Sequence, residues 1–426
     1  MYLADSRGGP PARTAAPDRT GPGRRPAVPG TVLALGAVSL ITDVSAEMIT
    51  AVLPLYVVTA LGLSPLGFGL LDGLNNGVGA LVRLAGGHLA DRGGRRHKVV
   101  AGLGYGLSAV CKPLLLVAHG LPAIGAVLAA DRAGKGLRTA PRDAMISLAT
   151  RPEHRGRAFG VHRAMDTAGA LLGPLAAFAV LRIAADGYDA VFTVSGCVAV
   201  LGVLVLVLFV PARTPGTAPA PGTAARPTLR TSLALLRRPP LRRLTLCAAL
   251  LGLTTVSDSF LYLLLQRGLG VPAGLFPLLP LGTAAVFLLL AVPLGALADR
   301  AGRRRLFLAG HAALLLAYGL VLAPLRGLPA VLGVLVLHGA FYAATDGVLA
   351  AATAGVVPPE QQGAGQALVG TGQALARFVC SLAFGAAWSL WDGRTALAVA
   401  AAALAAAALT ATRLLRTGHP HREGTR

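Results

Sequence analysis

Charge is what this 426-residue chain has least of. Asp, Glu, Lys and Arg make up 13% of it, against 54% hydrophobic residues. A soluble domain carries about 25% charged residues, so most of this chain has too few polar groups to cover a surface facing water. Lipid is the solvent its composition fits, and a disordered chain, rich in charge and poor in apolar residues, is excluded. Cysteine is scarce too. Cys111, Cys197, Cys247 and Cys380 lie far apart, each within an apolar run and none at C-x-x-C spacing. That excludes a disulfide scaffold and a cysteine-based metal or redox centre and predicts four plain buried residues. Aromatics, at 5%, are too few to argue for a broadly specific site walled by rings. There is no G-x-x-x-x-G-K-[ST] loop: Gly134-Lys135-Gly136 lacks the upstream glycine and the hydroxyl residue. No H-E-x-x-H or G-x-S-x-G is present. Neither an ATP-driven pump nor an enzyme has visible chemistry, and no cofactor or metal is expected.

What is present is a series of long apolar segments. A helix crossing a bilayer needs about 20 mostly apolar residues. By that measure spans fall near 31–60, 66–88, 98–119, 121–139, 159–182, 189–211, 242–266, 272–295, 305–324, 328–350, 363–390 and 395–413, twelve in all. The polar/apolar alternation of a membrane barrel does not occur. Residues 1–30 and 414–426 read as tails. Residues 212–241, rich in Pro, Ala, Thr, Gly and Arg, read as a linker between an N-terminal bundle (31–211) and a C-terminal bundle (242–413). The Arg24-Arg25 pair precedes a segment too long for a cleaved signal core, which reads as the first span.

The positive charge, 39 Lys and Arg against 18 Asp and Glu, is not a nucleic-acid footprint. The tails and alternate loops that start from the N-terminus, with the span ends that flank them, hold 29 basic residues, and the opposite loops and their flanks hold only Arg182, Arg267, Arg326 and Arg394. Cytoplasmic loops carry the Lys/Arg excess, which places both termini in the cytoplasm. The two halves also repeat. GHLADRGGRRHKVVAG, from Gly87, matches GALADRAGRRRLFLAG, from Gly295, at a constant offset of 208 with ten coincident positions. Duplicated six-span halves around a central path are a transporter architecture.

The G-x-L-A-D-R-x-G-R-R segment, found after span 2 and again after span 8, resembles the signature loop of the major facilitator superfamily, and the likeness extends from span 1 to span 12. Arg132-x-x-Lys135-Gly136 is similar to the family's R-x-x-Q-G element, with Lys in place of Gln. Gly169-x-x-x-Gly173-Pro174 is similar to its antiporter motif, followed here by Ala176-Ala177 rather than Gly-Gly. ITDVSAEMI together with DRAGKGLRTAPRDA resembles a bacterial branch of the family. The resemblance implies an all-α membrane protein of twelve transmembrane helices in two pseudo-symmetric six-helix bundles. It also implies alternating access, proton coupling near Arg132, and a conformational latch. The latch would comprise Gly87, Asp91, Arg92, Gly94, Arg95 and Arg96 in one loop and Gly295, Asp299, Arg300, Gly302 and Arg303 in the other. The competing reading of these arginines is that they only anchor topology.

Charges inside spans face cavities or partners, since each costs about 2.5–3.5 kcal/mol at the bilayer centre on insertion scales. Seven carboxylates (Asp43, Glu47, Asp72, Asp131, Asp166, Asp258, Asp346) stand against six cations (Arg83, Lys112, Arg132, Lys135, Arg163, Arg377). Asp43 and Glu47, four apart on one helix face, form the expected proton-carrying pair; permanent ion pairing with spans 4 or 5 is the alternative. Lys135, Arg138 and Arg142 share one face, either to attract an anion or to pair with Asp143 and Glu153. His162 and Asp166 form a relay or, more simply, His162 is hydrogen-bonded. Asn75 and Asn76 read as helix–helix glue, and Phe260, Tyr262, Phe341 and Tyr342 as lining or core. The expectation is a monomeric secondary transporter in a bacterial inner membrane, exporting a small organic molecule in exchange for protons. Import of a charged metabolite is the first alternative, and a membrane enzyme or sensor the second.

Overall fold

The computed structural model describes residues 28–92, 97–151, 154–184, 187–211, 234–325, 327–357 and 361–416. Most of the N-terminal tail, of the 212–241 linker and of the C-terminal tail lies outside the described residues, as do Gly94, Arg95, Arg96 and Glu153. Among the described residues there is helix and no strand. The helices are α1 (Gly30–Leu55), α2 (Pro65–Arg92), α3 (His97–Val117), α4 (Leu121–Leu148), α5 (Arg155–Ile183), α6 (Gly187–Phe209), α7 (Pro239–Gly252), α8 (Asp258–Leu269), α9 (Leu278–Ala301), α10 (Arg303–Leu322), α11 (Leu328–Ala354), α12 (Gln362–Leu390) and α13 (Gly393–Arg416). The α7 and α8 helices are two halves of one crossing, so the twelve expected spans are all present. Nine of the described helical segments contain a stretch long and apolar enough to cross a membrane on composition. The others are α2 and α4, which carry Asp72, Arg83, Asp131, Arg132 and Lys135 among the in-span charges of the first half, and the broken seventh crossing.

Local chemistry explains the boundaries. Pro54 removes a donor from the end of α1, and the ladder relaxes there into a π turn, Tyr56–Ala60, closed by Leu61 N–H on the Tyr56 carbonyl at 3.0 Å. Asp392 caps α13: its Oδ1 accepts the N–H groups of Arg394 (2.7 Å) and Thr395 (2.9 Å). With the Thr395 hydroxyl, these bonds hold the Asp392 carboxyl below its usual range. Gly302, at φ +97°, makes the turn from α9 to α10 inside the second copy of the repeated loop. Threonines within spans are satisfied by their own helix. Thr42, Thr345 and Thr353 donate to the carbonyls of Val38, Phe341 and Leu349 at 2.8 to 2.9 Å.

The sequence repeat reappears as a repeat of packing. The first crossing, α1, lies against α5 and α6, α2 against α4, and α3 against α4 and α6. In the second half, α7 lies against α12 and α13, α9 against α11, and α10 against α11 and α13. The halves then meet along two seams related by the same symmetry, α2 with α12 and α5 with α9. The α2–α12 seam is tight because glycines line it: a Cβ on Gly69 would stand 2.5 Å from the Ser381 carbonyl, and one on Gly385 2.6 Å from that of Pro65. Gly169 and Gly173 do the same between α5 and α1. A Cβ on Gly169 would strike the Leu40 carbonyl, and one on Gly173 would stand 2.6 Å from the Cβ of Glu47. The antiporter-like motif is therefore a close-packing device beneath Glu47.

Cys111, Cys247 and Cys380 are buried as expected. Cys197 is not: it is exposed on the outer face of α6, where lipid rather than protein accepts an apolar side chain.

The close approach makes Gly169→Ala an overpacking change. We expect it to cost about 1–3 kcal/mol, whereas Gly160→Ala on the same helix, with open space around the site, should be neutral or slightly stabilising. Thermal unfolding of the purified variants in detergent compares them; equal midpoints would show that α1 and α5 do not need contact at Gly169.

Candidate functional site

Buried charge in the first half is matched in pairs. Lys112 of α3 holds Asp131 of α4 at 2.9 Å, both side chains nearly sealed. Asp43 of α1 faces α4, where Arg138 (3.4 Å) and Lys135 (3.8 Å) reach it. Arg138 also lies 4.4 Å over the Tyr105 ring. Arg142 contacts Asp143 (3.1 Å), Asp166 (3.8 Å) and the Ser39 hydroxyl (3.3 Å), and that hydroxyl also meets His162 Nε2 at 3.0 Å. Arg132 Nε donates to Asn75 Oδ1, tying α4 to α2. This network ties α1, α3, α4 and α5 together.

The second half is built differently. The seventh crossing breaks at Leu253–Ser257, and the break lies against a cavity of about 360 Å³ between the two halves. Irregular backbone at membrane depth is tolerated where it lines such a space. Part of the freed backbone finds a partner: Val256 N–H donates to the Tyr318 hydroxyl at 2.8 Å. The break presents Asp258, the first residue of α8. Its Oδ1 accepts the Tyr342 hydroxyl at 2.6 Å and lies 3.0 Å from His338 Nε2. His338, Tyr342 and Asp346 recur every four residues on α11, one stripe of the helix. Arg377 of α12 sits 6.0 Å from the Tyr342 ring, with its Nε buried and unpartnered. From the first half, Glu47, Asp72 and Asn75 complete the wall. Asp72 accepts the Ser381 hydroxyl at 2.6 Å across the α2–α12 seam.

The two halves touch at the end where α1 finishes and α2 begins. There Leu66 N–H donates to Ser389 Oγ at 3.0 Å, and Phe68 packs edge-on to Phe260, which meets Phe384, both at 4.9 Å.

The structure sorts the expected site residues into groups. Glu47, Asp72, Asp258, Asp346 and Arg377 share the cavity. Arg132, Lys135 and Asp166 belong to the first-half network. Arg163 bonds Asp166 at 3.5 Å but leaves 79% of its side chain exposed, outside the cavity. Asp43 and Glu47 do not form a carboxylate pair: one turn apart, Asp43 is drawn to the cations of α4 while Glu47 faces the cavity. His162 bonds Ser39, and no contact with Asp166 makes a relay of it. Lys135, Arg138 and Arg142 take Asp43, Asp166 and Asp143 as partners. Tyr262 and Tyr342 line the cavity, whereas Phe260 and Phe341 are core. Gly87, Asp91 and Arg92 fall in the last turns of α2, and Gly295, Asp299 and Arg300 in those of α9, with Gly302 and Arg303 at the turn that follows. Reading by charge alone missed His338, whose four-residue spacing to Tyr342 and Asp346 was the available signal. It also missed the helix break, announced by Thr254-Thr255 and Ser257-Asp258.

Comparison with known proteins places this geometry. A family model described as Major Facilitator Superfamily matches residues 33–290 and 259–426. An MFS-type transporter of Methanocaldococcus jannaschii is 31% identical over 303 residues, 68% of this chain and 70% of that one. A Mycobacterium bovis protein is 36% identical over 160 residues, 37% of this chain and 38% of its own. Among solved structures, a bacterial homologue of the human lysosomal transporter Spinster, inward-facing, superposes with a TM-score of 0.75 at 16% identity, over 93% of this chain and 98% of that one. The nucleoside transporter NupG superposes at 0.73 and 14%, over 91% and 99%.

The sealed Lys112–Asp131 pair yields a stability test. Lys112→Met strands a buried carboxylate and should cost about 3–5 kcal/mol, while Lys112→Met combined with Asp131→Leu should recover most of it. A double variant no more stable than the single, by thermal melting in detergent, would show that the pair itself is what α3 and α4 require.

Proposed function

The chain belongs to the major facilitator superfamily, and from that premise we propose that it exports a small organic molecule in exchange for protons by alternating access. The observation that carries the reading is the cavity itself. It lies between the halves and is walled by both, and the halves touch at one end of the bundle through Leu66 with Ser389 and Phe68 with Phe260. Rocking of one half against the other about such a site is how this architecture moves a solute. The basic-residue count supports both termini lying in the cytoplasm of a bacterial inner membrane; in this reading the end where the halves touch is the outward one and this state loads from the cytoplasm. The repeated loops after α2 and α9, with Asp91 and Asp299 beside their arginines, serve in this reading as the latch of the opposite state. The tight α1–α5 packing at Gly169 and Gly173, in a motif shared with antiporters, supports exchange. The protein acts as a monomer of two bundles, 31–211 and 242–413.

Proton coupling needs a carboxylate that alternates between a proton and another partner. Asp43 is matched by two cations. Glu47 faces the cavity, and no Lys, Arg or His among the described residues lies within ion-pair distance of it. We assign the coupling role to Glu47, with Asp43 holding α1 on α4. Import of a charged metabolite is the second reading, favoured by Arg377, which can hold an anionic group.

Proteoliposomes containing a pH dye, with an imposed proton gradient and a panel of dyes, antibiotics and metabolites, test this. Wild type should show compound-dependent proton flux. Glu47→Gln should abolish it, and Asp43→Asn should lower stability more than coupling. Flux unchanged in Glu47→Gln would move the role to Asp166, Asp258 or Asp346. Flux with a sole-carbon nutrient and none with a toxic compound would favour import.

A further inference from the structure

The lining of the cavity has a charge that determines what it can hold. Four carboxylates face it, Glu47 and Asp72 from the first half and Asp258 and Asp346 from the second, against one guanidinium, Arg377. Two of the four have their own donors, Asp72 from Ser381 and Asp258 from Tyr342 and His338. Neither hydroxyl brings a positive charge. Arg377 lies within electrostatic reach of Asp258 and Asp346, which leaves Glu47, across the cavity on α1, with no cation of its own. The buried Nε of Arg377 makes no hydrogen bond, and its guanidinium carbon stands 6.0 Å from the centre of the Tyr342 ring. A carboxylate without a counter-charge in a confined space is relieved by a proton or by an incoming cation. The remaining walls are suited to the second: Tyr262, Tyr342, Phe276 and Phe287 are among the residues that line the same space, and aromatic rings attract organic cations. At about 360 Å³, the space is at the lower end of the range for small-molecule sites.

We propose that the substrate class of this cavity is a compact organic cation with an apolar, ring-bearing body, its positive charge held between Glu47 of the first half and Asp346 of the second. A cation held from both halves bridges the two bodies that must move, and it competes with protons for the same carboxylates. This inference rests on the cavity being the transport site, which the proton-flux assay decides separately.

The test uses two ions of the same size and shape and opposite charge, tetraphenylphosphonium and tetraphenylborate, bound to the purified full-length protein in detergent and measured by equilibrium dialysis. The phosphonium should bind at least tenfold more tightly than the borate. Glu47→Gln and Asp346→Asn should each weaken phosphonium binding by tenfold or more, with melting temperatures and gel-filtration profiles unchanged from wild type. If one variant does not fold, the other still decides. Equal binding of the two ions, binding of neither, or phosphonium binding unaffected in a folded variant would overturn the proposal. Tighter borate binding that disappears in Arg377→Gln would overturn it in favour of an anionic substrate. Any of these results alongside intact compound-dependent proton flux refutes the substrate class alone, whereas loss of both phosphonium preference and proton flux refutes the transport reading as well.

Discussion

A charged side chain inside a bilayer must have a partner or water, and the interior of this protein is organised by that requirement. In the first half the requirement is met by pairing. Lys112 with Asp131, and Asp43 with Arg138 and Lys135, turn charge into cross-links between helices. Such pairs add little net stability compared with apolar packing, but removing one member leaves the other stranded. They therefore specify which helix faces which. In the second half the requirement is met by a cavity. Asp258 is hydrogen-bonded to the Tyr342 hydroxyl and the His338 imidazole, with 40% of its side chain left accessible.

The asymmetry is informative because the two halves share one packing scheme. The same helix contacts recur at corresponding positions, and the glycine-lined α2–α12 seam has its counterpart in α5–α9. A duplicated scaffold has thus come to hold two chemistries, a rigid ionic network on one side and an adaptable polar wall on the other. The broken seventh crossing makes the second possible. It delivers the N-terminal end of α8, with Asp258, to the cavity and leaves backbone that a continuous helix would have hidden.

Much of this was legible in the chain. The twelve spans follow from apolar run length, because a bilayer sets one length for every crossing; the seventh is the exception, since Thr254, Thr255 and Ser257 read as tolerable polar residues within a run. The superfamily was readable from the repeated A-D-R loop. The Gly169 and Gly173 motif was also readable, though its physical meaning, contact with Leu40 and Glu47, belongs to the packing. Cavity residues were legible as a set, because any carboxylate in a span must be paired or functional. Their division was not. Asp43 and Glu47 lie four apart and look equivalent, yet neighbouring helices give one two cations and the other an open space. His338 carries no formal charge and so escaped a search by charge.

The sequence by itself determined the solvent, the number of crossings and the duplication, because each is a property of composition or period along the chain. Only the tertiary structure decided which charges neutralise one another and which face the cavity. Ion pairing falls off over a few ångströms, and those distances are set by how helices far apart in sequence are brought side by side.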